Sequence, residues 1–321
     1  MYMNVVTSVS LAITAATLLL ACQATDSTVG SDAAIDLTEK ILINRSTDCS
    51  DYVNHYDADV EDISNHHHFE LDVVITEEGD HCLLESNNIP NHDFNDYSAD
   101  FATDPAEVTQ RFRITKAPQL AEQATALAHN FYNGVMLNGV PIDILSAGCY
   151  RPEDAQADAD GNVHIGCNSQ DDWLMDPLGT SHKFGADAHN AHTQPDGSYH
   201  YHGNPMALFD DEPESEGSPV IGFAADGFPI FGSYFYDVES GTVRKAISGY
   251  ELKTGSRPTG VDSPGGIYDG TYVDDYEFTG AGDLDACNGM TVDGQYGYYV
   301  TDVYPWIIAC ISGTPDSSFY K

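Results

Sequence analysis

Two short runs hold four histidines: Asp187-Ala188-His189-Asn190-Ala191-His192 and, past the turn residues Pro195-Asp196-Gly197, Tyr199-His200-Tyr201-His202. Neutral imidazole is a good ligand for Zn(II) and Cu(II), and three imidazoles can supply the whole protein share of such a site. Asp-Gly sets a turn, so Tyr199–His202 reads as a strand in which alternate residues point to opposite faces. The tyrosines then share one face and the histidines the other, with histidine Cα atoms about 6.5–7 Å apart. Both rings can reach one ion. His192 folds back as the third core ligand beside His200 and His202, with His189 in reserve, while His182 and His92 sit on loops from which they could join. Ligand type leaves copper and zinc open, with copper ahead by the Irving–Williams order. Such a site is expected to release its ion as pH falls through the imidazole range near about 6.5.

The elements that must hold these side chains show up as an internal repeat. Gly134-Val-Met-Leu-Asn-Gly-Val-Pro-Ile142 aligns with Gly222-Phe-Ala-Ala-Asp-Gly-Phe-Pro-Ile230, and Asp187–His202 aligns with Asp285–Tyr299 after one deletion. Two blocks in the same order predict two similar strand-rich units, about 131–212 and 219–312, packed as a pseudo-symmetric pair. The Asn/Asp-Gly-apolar-Pro-Ile segment reads as a turn leading into a buried strand, Gly supplying the strained backbone angle. In the second copy His189, His192, His200 and His202 become Cys287, Met290, Gly297 and Tyr299, while the surrounding Asp, Asn, Thr and Tyr stay. Histidines that only packed the fold would be wanted in both copies, so their loss from one points to chemistry.

Tyr199-His200-Tyr201-His202-Gly203, the segment Ala224-Ala225-Asp226-Gly227-Phe228-Pro229-Ile230-Phe231-Gly232, and Leu284–Gly289 leading to Tyr304–Cys310 together resemble the YHYH-domain proteins over roughly residues 80–312. Ser86–His92 resembles the Asn-Gly-apolar-Pro-Asp-His stretch near that domain's start, with Asn88 in place of Gly. The resemblance implies export and the domain's extent, and implies no particular reaction. Family members often carry a second Tyr-His-Tyr-His late in the domain, where this chain has Tyr296-Gly297-Tyr298-Tyr299.

Around this region the chain reads as exported. The uncharged stretch Val5–Ala21 ending in Leu19-Leu20-Ala21-Cys22 predicts a signal peptide over 1–21, a lipidated Cys22, a polar tether over 22–36 and a single domain over 37–321. Gln23 favours the outer membrane or cell surface, so the expected location is periplasmic or extracellular, with membrane contact through the lipid alone. The remaining cysteines are Cys49, Cys82, Cys149, Cys167, Cys287 and Cys310, which predict three disulfides. Of 15 connectivities, nearness in sequence favours 49–82, 149–167 and 287–310, each adding about 3 kcal/mol by loop-entropy reasoning. With 51 Asp and Glu against 12 Lys and Arg, and a formal charge of −39, the surface suits a salty medium and excludes nucleic acid as a partner.

Phe69–Ile75, Phe112–Ile114 and Tyr298–Val300 read as strands, and Pro118–Asn130 as the one helix candidate, so the fold class is mainly β (or α+β with little helix), disulfide-stapled. The leading function is an extracytoplasmic metal-binding lipoprotein, for metal capture or metal-assisted chemistry. An alternative uses Tyr199, Tyr201, Tyr296, Tyr298 and Trp306 as an aromatic platform for a glycan or surface protein, which requires those rings to line an open groove. A metal-independent hydrolase is the weakest reading, since no nucleophile stands out. Asp154–Asn162 has a calcium-loop flavour but lacks the twelfth-position Glu and reads as an acidic turn. His66-His67-His68 reads as a solvent-exposed run.

Overall fold

Strand alternation builds the first sheet. In Asn54–Asp62 and His67–Glu78 the residues Ala58, Val60, Leu71, Val73 and Ile75 are buried, while Asp57, Asp59, Glu70 and Asp72 between them are exposed. This is the period-two pattern of a half-buried sheet. Five strands lie in the order Ile35–Asp36, Asn54–Asp62, His67–Glu78, His81–Ser86, Gln110–Thr115. A computed structural model describes Met1 and residues 33–179, 185–213 and 215–321. The expected signal peptide, Cys22, most of the tether and His182 lie outside the described residues. The end of the expected tether is a correction: Ile35 and Asp36 pair in parallel with Tyr56 and Asp57 and belong to the sheet.

The second sheet has eight strands, in the order Ala191–Thr193, Tyr199–Tyr201, Pro141–Ile142, Gly134–Met136, Val220–Ala224, Pro229–Phe231, Gln295–Tyr299, Gly289–Val292. Outward from the central antiparallel pair of Gly134–Met136 with Val220–Ala224, each half meets the same succession: a hairpin partner, a parallel neighbour, then that neighbour's own hairpin partner. Matching bonds recur in the two halves. Tyr199 Oη donates to Asp187 Oδ2 at 2.8 Å and Tyr296 Oη to Asp285 Oδ2 at 2.9 Å. Asn138 donates to Tyr201 Oη at 3.0 Å, where Tyr298 Oη donates to Asp226 at 2.7 Å. The Gly139 and Gly227 turns have φ of +80° and +83°, and each glycine N–H donates back across its hairpin.

Residues Ala34–Lys321 form one compact unit, with a common core drawn from both sheets. The two turn tips press on the first sheet, Gly139 against Ser86 and Val73, and Gly227 against Thr115. The disulfides are Cys49–Cys82, Cys149–Cys167 and Cys287–Cys310, the pairs favoured by sequence proximity. The fold is mainly β; among the described residues the only helical elements are three short 3₁₀ turns. The helix expected over 118–130 does not form. Thr125 and Ala126 pair instead with Ile311 and Cys310, and Ala121 N–H donates to Ser312 O. Tertiary pairing beside the Cys287–Cys310 link satisfies this backbone and outweighs local propensity.

Gly139 and Gly241 separate backbone strain from crowding. A Cβ on Gly139 would lie 2.4 Å from Ser86 Cβ, whereas one on Gly241, at φ +69°, meets nothing within 4 Å. Gly241→Ala should cost about 1–2 kcal/mol from left-handed strain alone, and Gly139→Ala roughly 3 kcal/mol or more. Urea denaturation of both variants checks this, and equal losses would contradict the proposed contact between turn tip and sheet.

Candidate metal centre

Register places the histidines. His192 is the direct partner of His200 across the antiparallel pair of Ala191–Thr193 with Tyr199–Tyr201, so their side chains leave the sheet on one face. His202 follows two residues after His200 and points the same way. On the opposite face Tyr199 and Tyr201 are buried, at 1% and 0% exposure. His92 fixes Tyr201 from behind. Its Nδ1–H donates to Asp93 O at 2.8 Å, so its Nε2 accepts the Tyr201 hydroxyl proton at 2.7 Å. The loop carrying His92 is positioned by Asn88, whose side chain donates to Tyr199 O at 2.8 Å. Asn88 has φ of +66°, a conformation that glycine or asparagine adopts most readily, which accounts for Asn in the place of Gly.

Three Nε2 atoms converge. His200 Nε2 and His202 Nε2 are 3.0 Å apart, and His202 Nε2 and His192 Nε2 are also 3.0 Å apart. His202 Nδ1–H faces Ile144 O at 3.4 Å, which leaves His202 Nε2 as a lone pair serving both contacts. His200 Nδ1 is buried and makes no well-formed hydrogen bond among the described residues, although the Ser198 backbone lies close enough to favour a proton on the ring. His200 and His202 are each 2% exposed and His192 is half-buried. Burial, followed by repulsion from neighbouring histidines, pushes His200 and His202 well below the ordinary imidazole range. His200 and His202 are therefore neutral, the state a metal requires of its imidazole ligands.

The triad opens onto a cavity of about 870 Å³ whose other walls include Asp143, Lys321, His129 and His164. Asp143 Oδ2 accepts from Gln194 Nε2 at 2.8 Å and from Lys321 Nζ. Burial raises the Asp143 carboxyl, against the opposing pull of Lys321. His129 Nε2 meets Ser146 O at 2.9 Å, and one side of the cavity is the segment held by Cys149–Cys167.

His189 is not brought to the triad. Its Nδ1–H donates to Pro205 O at 2.6 Å and its ring stacks on His92 at 3.8 Å, on the Tyr201 side of the strand. His92 is likewise turned away from the triad. His66 and His68 are exposed and face Glu61 and Asp59. Tyr199, Tyr201 and Tyr298 are buried in the core and cannot join an open aromatic platform. Asp143 was missed at the level of sequence. Continuing the repeat one residue past Ile142 and Ile230 would have paired it with Phe231. In the second half the corresponding face holds Met290, Gly297, Tyr299 and Phe231, with Phe231 stacked on Tyr299 at 5.0 Å. A Cβ at Gly297 would meet the Phe231 ring at 2.6 Å, so the space filled by imidazole in one half is filled by aromatic carbon in the other.

Fold and site define a disulfide-stapled β-sheet protein with a buried three-imidazole cluster facing a cavity. The family model for YHYH protein matches residues 111–313, and the chain belongs to that family; its eponymous Tyr199–His202 strand is the one that carries the cluster. No curated protein and no solved structure matches the chain.

The buried imidazoles also make stability depend on pH. His92 is pushed from 6.5 to about 3 by burial and by His189, so between those values the unfolded chain binds a proton that the folded one does not. Stability from this group is complete above about pH 6.5 and is lost as pH falls, at up to about 1.4 kcal/mol per unit, until about pH 3. His200 and His202 act with the same sign. Urea denaturation in chelator from about pH 6 to 4 should show a shallower slope in His92→Gln than in the parent, and identical slopes would refute the burial of a neutral ring.

Proposed function

We propose that the protein binds one transition-metal ion through Nε2 of His192, His200 and His202, with an open coordination position facing the cavity. The observation carrying this reading is the convergence of three imidazole nitrogens on one point, where two N–H groups would have to share one lone pair. Without a cation, two rings compete for the single lone pair of His202; with one, all three lone pairs point at positive charge. Copper is the favoured ion by affinity order. The cavity favours an ion that works on a small ligand over a sealed structural site. We place this activity outside the cytoplasm, supported by three disulfides, with Cys22 as the lipid anchor supported by the Leu19–Cys22 motif.

Protein prepared without a histidine tag should bind one Cu(II) or Zn(II) per chain in excess Ca(II) and Mg(II), which occupy the carboxylate surface. His192→Ala changes a half-buried residue and should keep the fold while weakening binding about 100-fold or more. Because burial already holds His200 and His202 neutral, protonation of these two ligands should release the ion only below the ordinary imidazole range. Unchanged stoichiometric binding by both His192→Ala and His202→Gln would overturn the site.

A further inference from the structure

We propose that Asp143 governs what binds on the open side of the ion, admitting small neutral hydrogen-bond donors such as water, an alcohol or an amine and disfavouring simple anions. The inference rests on the metal reading of the triad. Its first ground is register. Ile142 pairs in parallel with Tyr201, so the next residues, Asp143 and His202, are neighbours across two strands and leave the sheet on the face opposite Ile142 and Tyr201. The equivalent neighbours in the other half, Phe231 and Tyr299, are direct register partners with stacked rings. The carboxylate thus belongs to the same patch as the imidazoles and lines the same cavity.

The second ground is covariation between halves. Four positions on this face differ together: His192, His200, His202 and Asp143 against Met290, Gly297, Tyr299 and Phe231. The framework bonds of Tyr199 with Asp187 and of Tyr296 with Asp285 are kept in both. A carboxylate serving only the sheet would be needed in both halves, and it is absent where the imidazoles are absent. Third, Asp143 is not in ligand range, since the close cluster comprises the three histidines alone. Its bonds from Gln194 and Lys321 both fall on Oδ2, which leaves Oδ1 to accept from a donor in the cavity. Lys321, whose side chain is 27% exposed, holds the carboxylate in place and sets a positive charge against it.

Azide binding to the Cu(II)-loaded full chain, followed by its charge-transfer absorption, tests this. Asp143→Asn removes the negative charge and should raise azide affinity about tenfold, whereas Lys321→Met removes the positive charge and should lower it by a similar factor. Both variants should keep one Cu(II) per chain. Shifts of opposite sign support the proposal, because general loosening of the cavity would move both variants the same way. Equal affinities, or shifts in one direction, with Cu(II) still bound would reduce Asp143 to an anchor for Lys321 and overturn this inference alone. If wild-type protein binds neither Cu(II) nor Zn(II), both this inference and the metal site fall. Lys321→Met changes a partly exposed side chain and decides the sign by itself if Asp143→Asn does not fold.

Discussion

Adjacent residues of a strand face opposite ways, and in Tyr199–His202 this separates two environments that could not be mixed. Behind the strand the tyrosines are packed in the core, and their hydroxyls must be satisfied by Asp187, His92 and Asn138. In front, the imidazoles have each other and a cavity. An unpaired buried hydroxyl would cost about 1–3 kcal/mol, so the hydrogen bonds behind the strand fix its rotation and register. The aim of the histidines follows from that fixing. They need little support of their own because the tyrosines cannot turn.

The two halves of the eight-stranded sheet separate scaffold from chemistry within one chain. Aspartate–tyrosine bonds, left-handed Asn190 and Asn288, and the paired glycine turns recur in both. The face that carries imidazole and carboxylate in one half carries methionine, glycine and stacked aromatic rings in the other. Polar groups buried in a sheet must be satisfied or replaced. In the second half the whole set is replaced together, and a disulfide through Cys287 occupies the place of His189.

Much of this was legible in sequence because it is local. Strand alternation at Phe69–Ile75 and Tyr199–His202, the Asp-Gly turns and the three nearest-neighbour disulfides need no knowledge of distant contacts. What sequence could not give was register between remote segments. Asp143 meets His202 through a parallel pairing that spans nearly sixty residues, and no local pattern signals it. His189 lies apart from the triad for a related reason: spacing places it near the turn, yet its ring is claimed by Pro205 and His92 from two separate loops. The residues at 118–130 have helical spacing, but the strand Cys310–Ile311 offers their backbone a partner.

Cys149, Val163, Cys167 and Leu174 form a small core apart from the main one, and the segment closed by those cysteines supplies His164–Cys167 to the cavity wall. So small an apolar cluster gives that wall little stability without its covalent link. The cavity therefore has walls of two kinds: on one side the sheet, held by backbone pairing, and on the other a loop whose shape is restricted by a single covalent bond.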